Sequence, residues 1–256
     1  MKAVILAGGL GTRLSEETSV KPKPMVEIGG MPIIWHIMKN LSKYGVNDFV
    51  ICCGYKGYVI KEFFSNYLLH SSDVTLDLSD GSIDIHNNKA ENWKVTLIDT
   101  GATTQTGGRL KAVKSYLEDE EYFLFTYGDG LSDVNVDALV DTHKKHNKLA
   151  TVTAARPNGR YGALQIEDGT VNRFKEKPEG EESWINGGFF ILDPKVIELI
   201  EGPEVPWEST PLETLSRDGQ LAAYQHAGFW HAMDTLRDKN ALEKMWQDNV
   251  APWKNW

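Results

Sequence analysis

Only two cysteines occur in the 256 residues, Cys52 and Cys53. They stand side by side at the end of Phe49-Val50-Ile51-Cys52-Cys53, so no Cys-x-x-Cys spacing exists. Within that apolar run, which reads as a central strand, they read as core filler. Basic charge is also scarce: 27 Lys and Arg against 36 Asp and Glu leave a net charge of -9. A nucleic acid or an anionic membrane demands a broad basic face, so neither is expected as a partner. No apolar run approaches the ~20 residues of a membrane span, and no signal-peptide pattern is found; a cytoplasmic location is expected. The seven histidines hold no Ser-His-Asp pattern. His143 and His146, three apart beside Lys144, Lys145 and Lys148, lack a third metal ligand and read as a solvated helix face. Internal repeats, low-complexity tracts and linkers are all missing, so residues 1–256 are expected to form one domain.

Apolar runs that read as strands alternate with helical periods. Strands are expected at 3–7, 48–53, 94–99, 122–127 and 150–155, and helices over 32–44, near 57–69 and 108–117, and at 135–146. That rhythm predicts an α/β fold, Rossmann-like, with a mixed, mainly parallel sheet flanked by helices. Val74–Leu78 and Ile83–His86 alternate around Asp80-Gly81 and read as a β-hairpin inserted into the core. Beyond residue 156 short strands are expected at 163–167, 171–175 and 187–192, followed by a helical period over 235–246. Trp253 and Trp256 need cover, either from this chain or from a neighbouring subunit.

The strand Ala3–Ala7 feeds Gly8-Gly9-Leu10-Gly11-Thr12-Arg13-Leu14, and Lys21-Pro22-Lys23-Pro24-Met25 follows. No lysine follows these glycines, which excludes a P-loop, and Leu14 stands where a dinucleotide fingerprint needs its third glycine. Glycines without Cβ let a backbone approach a polyphosphate and aim N–H groups at it, while Arg13 and Lys23 add two cations. A nucleoside triphosphate is the expected guest.

Taken with Tyr127-Gly128-Asp129-Gly130, Tyr161-Gly162, Glu176-Lys177-Pro178, Asn186-Gly187-Gly188, Trp230 and Asp234-Thr235, in that order, the loop resembles the signature of sugar-phosphate nucleotidylyltransferases. The doubled Lys-Pro, the segment Thr100–Arg109 and Phe229–Asp238 point to the branch that uses CTP and glucose 1-phosphate. The resemblance implies a nucleotide-diphospho-sugar transferase fold. It divides the chain into a nucleotide-binding part, about 1–135, a sugar-phosphate-binding part, about 150–230, and a C-terminal helical segment, about 234–256. It implies contact with the nucleotide by Leu6, Ala7, Gly8, Gly9, Leu10, Gly11, Thr12, Arg13, Lys23, Gly101, Thr104, Arg109 and Gly128. Arg13 and Lys23 are the implied catalytic cations, Lys23 being held in an extended, stiff segment by its flanking prolines. Gly162, Glu176, Lys177 and Asn186 are implied for the sugar phosphate, and Asp129 and Asp234 for Mg²⁺, with Asp234 alternatively a helix N-cap. A homo-oligomer, a trimer or hexamer, and a place in O-antigen and lipopolysaccharide precursor synthesis are implied too.

Three alternatives remain open at this level. A uridylyl- or thymidylyltransferase shares the loop and the carboxylates. A nucleotide-sugar glycosyltransferase would usually carry Asp-x-Asp, and here Leu131 stands in the third place. A binding subunit without turnover would not need the full charged set.

Overall fold

The computed structural model describes residues 1–156, 163–167, 170–175 and 184–256; for Arg13, Ser15, Glu16 and the two short segments it describes the backbone. In the strand Lys2–Ala7, Ala3, Ile5 and Ala7 enter one apolar core while Val4 and Leu6 enter a second. The strand Asp48–Cys53 divides likewise, with Phe49, Ile51 and Cys53 on one face and Val50 and Cys52 on the other. Side chains alternate across a strand, so a run that is apolar at every position is stable only where both faces are covered.

Seven strands build the central sheet, in the order 221–226, 150–155, 185–192, 123–127, 2–7, 48–53, 94–99. Four neighbouring pairs are parallel, and the strand Ile185–Leu192 runs antiparallel to both of its neighbours. Helices at Ile33–Ser42, Gly57–His70, Val136–His146 and Leu236–Gln247 bear out the sequence reading to within a few residues. The helix expected near 108–117 begins earlier, at Thr106, and breaks after Ala112 into a 3-10 turn at Lys114–Tyr116. The helix Thr210–Arg217 and the strand Leu221–His226 went without a sequence signal. The hairpin Asp73–Asp77 with Ser82–His86 is present and largely exposed.

Two expectations need correction. His143 is buried, with Nδ1 3.0 Å from Thr151 Oγ1. Its helix turns this residue toward the sheet, and burial lowers its pKa; only His146 is solvated. Lys23 does not lie in an extended segment. Pro22 is extended, but Lys23–Met25 form a 3-10 turn closed by the Met25 N–H to the Pro22 carbonyl at 2.8 Å.

Of the C-terminal tryptophans, Trp253 finds cover within the chain and Trp256 stays exposed. Trp253 is fully buried and stacks on Phe229 at 5.4 Å, and Trp256 meets Trp35 edge-on at 5.8 Å. Trp35, Trp246, Trp253 and Trp256 surround the buried ring of His36, whose Nε2 lies 2.8 Å from the Ile28 carbonyl. Burial pushes the His36 pKa down to about 4.

Candidate active site

The strands Lys2–Ala7 and Phe123–Tyr127 are parallel neighbours whose carboxyl ends open side by side. Ligands of open α/β sheets bind at such ends. Here a cleft of about 260 Å³ is lined by Leu6, Ala7, Gly9, Gly11, Thr12, Lys23, Pro24, Thr106, Tyr127, Gly128, Asp129 and Asp234. Nine of these are residues the sequence singled out. Gly11 adopts φ +63°, a left-handed conformation that favours glycine, and so turns the loop into the helical segment that follows. Arg13 lies in the 3-10 turn Thr12–Leu14; its side chain is outside the description. Leu10 is exposed at the tip of the loop.

Lys23 is buried, and its Nζ lies 2.7 Å from Asp129 Oδ2 and 2.7 Å from Asp234 Oδ1. Burial by itself would lower the ammonium's pKa, but the charges and hydrogen bonds of the two carboxylates outweigh that and raise it. A short antiparallel ladder brings the carboxylates together, pairing Gly130–Ser132 with Trp230–Ala232. Asp129 enters that ladder and Asp234 leaves it, and the Met233 N–H donates to the Asp129 carbonyl at 2.9 Å. The N-cap of the last helix is Thr235, joined to Asp238 in a capping box. Asp234 is therefore not the cap, and its carboxylate faces Lys23.

Arg109 stands beside Gly8 and Gly101 in a closed setting. Its Nη2 donates to the Gly8 carbonyl at 3.0 Å, and its Nη1 to Gly101 O at 2.8 Å, Cys53 O at 3.2 Å and Thr100 Oγ1 at 2.7 Å. A Cβ on Gly8 would come within 2.1 Å of Nη1, so this glycine makes room for the guanidinium behind the loop. The fork thus meets main-chain acceptors, and pairing with a base requires some of these bonds to be exchanged. Thr104 sits next to it, its Oγ1 2.7 Å from where a Cβ on Gly101 would stand.

On the other side of Asp129 the neighbouring strand carries Asn186. Its Oδ1 accepts the Gly188 N–H at 2.9 Å and its Nδ2 donates to Tyr127 Oη at 3.4 Å. Tyr127 Oη donates to Glu208, and burial together with that carboxylate raises the phenol's pKa. Gly162, Glu176 and Lys177, the other residues implied for the sugar phosphate, lie outside the described residues. Tyr127 stands in a motif and Thr106 in a segment that carry the resemblance, but neither they nor Glu208 have an assigned role in the sequence, because each meets its partner only on folding; Thr106 and Glu208 are 102 residues apart.

The arrangement suits a hard divalent cation. Two carboxylate oxygens converge on one point at the mouth of the sheet, where an ammonium now stands, and oxygen donors with room for phosphates and water are what such a cation takes. Among the described residues no third His, Cys, Asp or Glu joins them. No described helix is long and apolar enough to cross a membrane.

The sequence pattern of a family described as nucleotidyl transferase matches residues 2–248. The chain is 60% identical over 256 residues, the full length of both, to glucose-1-phosphate cytidylyltransferase of Salmonella typhi. It is 45% identical, again over the full length of both, to a probable glucose-1-phosphate cytidylyltransferase of Bacillus subtilis (strain 168). Among solved structures, HddC from Yersinia pseudotuberculosis superposes with a TM-score of 0.70 at 25% identity, covering 96% of this chain and 99% of that one. A cleft at the carboxyl ends of parallel strands, a glycine loop and a paired-carboxylate centre are thus found in a chain whose whole length follows this family's pattern, and the chain belongs to the nucleotidyl transferase family.

Proposed function

We propose that this protein transfers CMP from CTP to glucose 1-phosphate, releasing pyrophosphate and forming CDP-glucose. The observation that carries the reading is full-length identity of 60% to a glucose-1-phosphate cytidylyltransferase, joined to a cleft in which Lys23, Asp129 and Asp234 meet beside the glycine loop. A phosphate oxygen of the sugar phosphate attacks the α-phosphorus of CTP, and the bond from that phosphorus to the oxygen bridging to the β-phosphorus breaks. Pyrophosphate departs with the electron pair. No covalent intermediate on the protein is needed, since such transfers ask for positioning and stabilisation of charge.

Each residue has a place in that chemistry. The backbone of Gly8–Thr12 borders the triphosphate, with Arg13 assigned to its β- and γ-phosphates, where a planar fork of donors matches the oxygens. Lys23 stabilises charge at the α-phosphate and on the attacking phosphate. Asp129 and Asp234 would hold Mg²⁺, which when bound neutralises phosphate charge. The cytosine is assigned to the segment around Gly101, Thr104 and Arg109, and the sugar phosphate to Gly162, Glu176, Lys177 and Asn186. A homo-oligomer in the cytoplasm, serving O-antigen precursor synthesis, completes the proposal.

The test is a panel of four nucleoside triphosphates against several sugar 1-phosphates, reading pyrophosphate. Release with CTP and glucose 1-phosphate well above every other pair is the expected result. Preference for UTP or dTTP would move the protein to another branch of the family.

A further inference from the structure

Two chains of hydrogen bonds end on the same side chain at the rim of the cleft, and their direction can be read from their ends. One begins at the Gly188 N–H, which can only donate and meets Asn186 Oδ1 at 2.9 Å. That contact turns the Asn186 amide so that its NH₂ faces Tyr127 Oη. Tyr127 accepts there, so its own proton goes onward to Glu208 Oε1. The other chain begins at the Trp207 N–H, which donates to Thr106 Oγ1 at 2.8 Å, and the Thr106 hydroxyl donates to Glu208 Oε2 at 2.6 Å. Both run one way, from a backbone donor to a carboxylate that accepts only.

The strand order says what the first chain serves. Glycine loop, Gly101 and Thr104 belong to the half of the sheet formed by strands 2–7, 48–53 and 94–99 and the loops at their ends. Asn186 lies on the strand at the far side of Phe123–Tyr127 and bonds to Tyr127, which lines the cleft, so it stands on the side away from the glycine loop. The Tyr127 ring is pinned there, because a Cβ on Gly188 would come within 2.6 Å of its Cδ2. With Oδ1 held by Gly188 and one N–H on Tyr127, Asn186 has one N–H left to offer to a ligand oxygen.

We propose that Glu208 is a positioning residue for the second substrate: by accepting the Tyr127 O–H it fixes the lone pairs of Tyr127 Oη toward Asn186, and that anchor holds the Asn186 side chain in place with its remaining N–H directed to an oxygen of the sugar phosphate. The inference rests on the proposed substrates and adds to them a residue on a separate segment that acts through Tyr127. Water can solvate the exposed Glu208 position, so its loss leaves the fold intact while releasing the direction of the chain.

The experiment measures KM for glucose 1-phosphate and for CTP in the parent protein, in Glu208→Ala, Glu208→Gln and Tyr127→Phe, and in the Glu208→Ala/Tyr127→Phe double variant. The parent is measured first; failure to form CDP-glucose there overturns the proposed substrates and is thereby separated from failure of the relay. Glu208→Ala is expected to raise KM for glucose 1-phosphate about tenfold, the scale of one lost charge-assisted hydrogen bond, and KM for CTP less than about twofold. Glu208→Gln, which keeps an acceptor oxygen for Tyr127, should restore most of the loss. In the Tyr127→Phe background Glu208→Ala should add nothing, since the relay is already cut. The inference is overturned if both KM values rise together, if KM for the sugar phosphate stays at the parent value, or if the two single effects multiply. Should the alanine variant lose its native thermal transition, Tyr127→Phe read against Glu208→Gln decides the same question.

Discussion

Among the described residues two regions bury a cation, and they hold it in opposite ways. Behind the glycine loop, Arg109 is enclosed by neutral acceptors: the carbonyls of Gly8, Cys53 and Gly101 and the hydroxyl of Thr100. At the sheet mouth Lys23 is enclosed by two carboxylates. The first arrangement gives the Gly101 carbonyl its donor and adds to the Gly8 and Cys53 carbonyls, which also accept the Tyr55 and Thr100 N–H groups, and it ties three strand ends to one helix. The second brings two carboxylates to one point, the donor set that a hard divalent cation takes. A cation among carbonyls holds a fold together, whereas a cation between carboxylates marks a place where charge is handled.

That contrast is broken most severely at the mouth. Lys23→Ala should lower turnover by roughly 10²–10³, the scale for losing a preorganised donor to developing charge, while a cooperative thermal transition persists. Near-normal turnover in a folded variant would remove Lys23 from the chemistry. Asn in place of Asp129 or Asp234 should raise the concentration of Mg²⁺ needed for half-maximal activity. Metal titrations of both variants that overlay the parent would show that the carboxylates do not hold the ion.

Arg109→Leu should act on the other side of the comparison. The Gly101 carbonyl loses its donor while those of Gly8 and Cys53 keep the Tyr55 and Thr100 N–H groups, so stability should fall by about 1–3 kcal/mol, the scale of one polar group left unsatisfied. Urea unfolding measures this. If stability is instead kept and only the ratio of kcat/KM for CTP over UTP narrows, the guanidinium reads the base and the two cations are alike in function.

The aromatic nest around His36 tests burial without any paired charge. Its pKa is about 4 in the folded chain against 6.5 for an ordinary histidine, so between these values the unfolded chain binds the extra proton. Stability is therefore fully present above pH 6.5 and lost as the pH falls toward 4, by roughly 3 kcal/mol in all at 1.36 kcal/mol per unit. His36→Gln should flatten that acid limb in unfolding curves. The smallest effect is chemical: burial pushes the Cys53 thiol up to about 11, and Cys52 is fully enclosed. Neither should react with a thiol reagent in the native protein over a time in which the unfolded protein reacts completely.

The strands on the glycine-loop side were legible because their signal is local. Lys2–Ala7 and Asp48–Cys53 are apolar at nearly every position, and a glycine loop follows the first of them directly. The opposite wall is built from pieces far apart. Lys23 meets Asp234 across 211 residues, and the short ladder that joins their neighbourhood consists of three-residue strands, too brief for any period to show. His143 illustrates the same limit. Lysines surround it in sequence, yet the turn of its helix aims it at Thr151, and only the packing of that helix on the sheet decides which face is inside.

By itself, then, the sequence determined the alternation of strands and helices, the phosphate-approaching loop and the identities of the charged residues, since these follow from side-chain period, from glycine's missing Cβ and from composition. What only the tertiary structure decided is which charges meet. That Lys23 lies between Asp129 and Asp234, that Arg109 turns its fork inward to carbonyls, and that Glu208 gathers Tyr127 and Thr106 all depend on strand order and loop closure. Electrostatic and hydrogen-bond partners are matters of a few ångströms, and distances of that kind between segments a hundred residues apart exist only once the chain has packed.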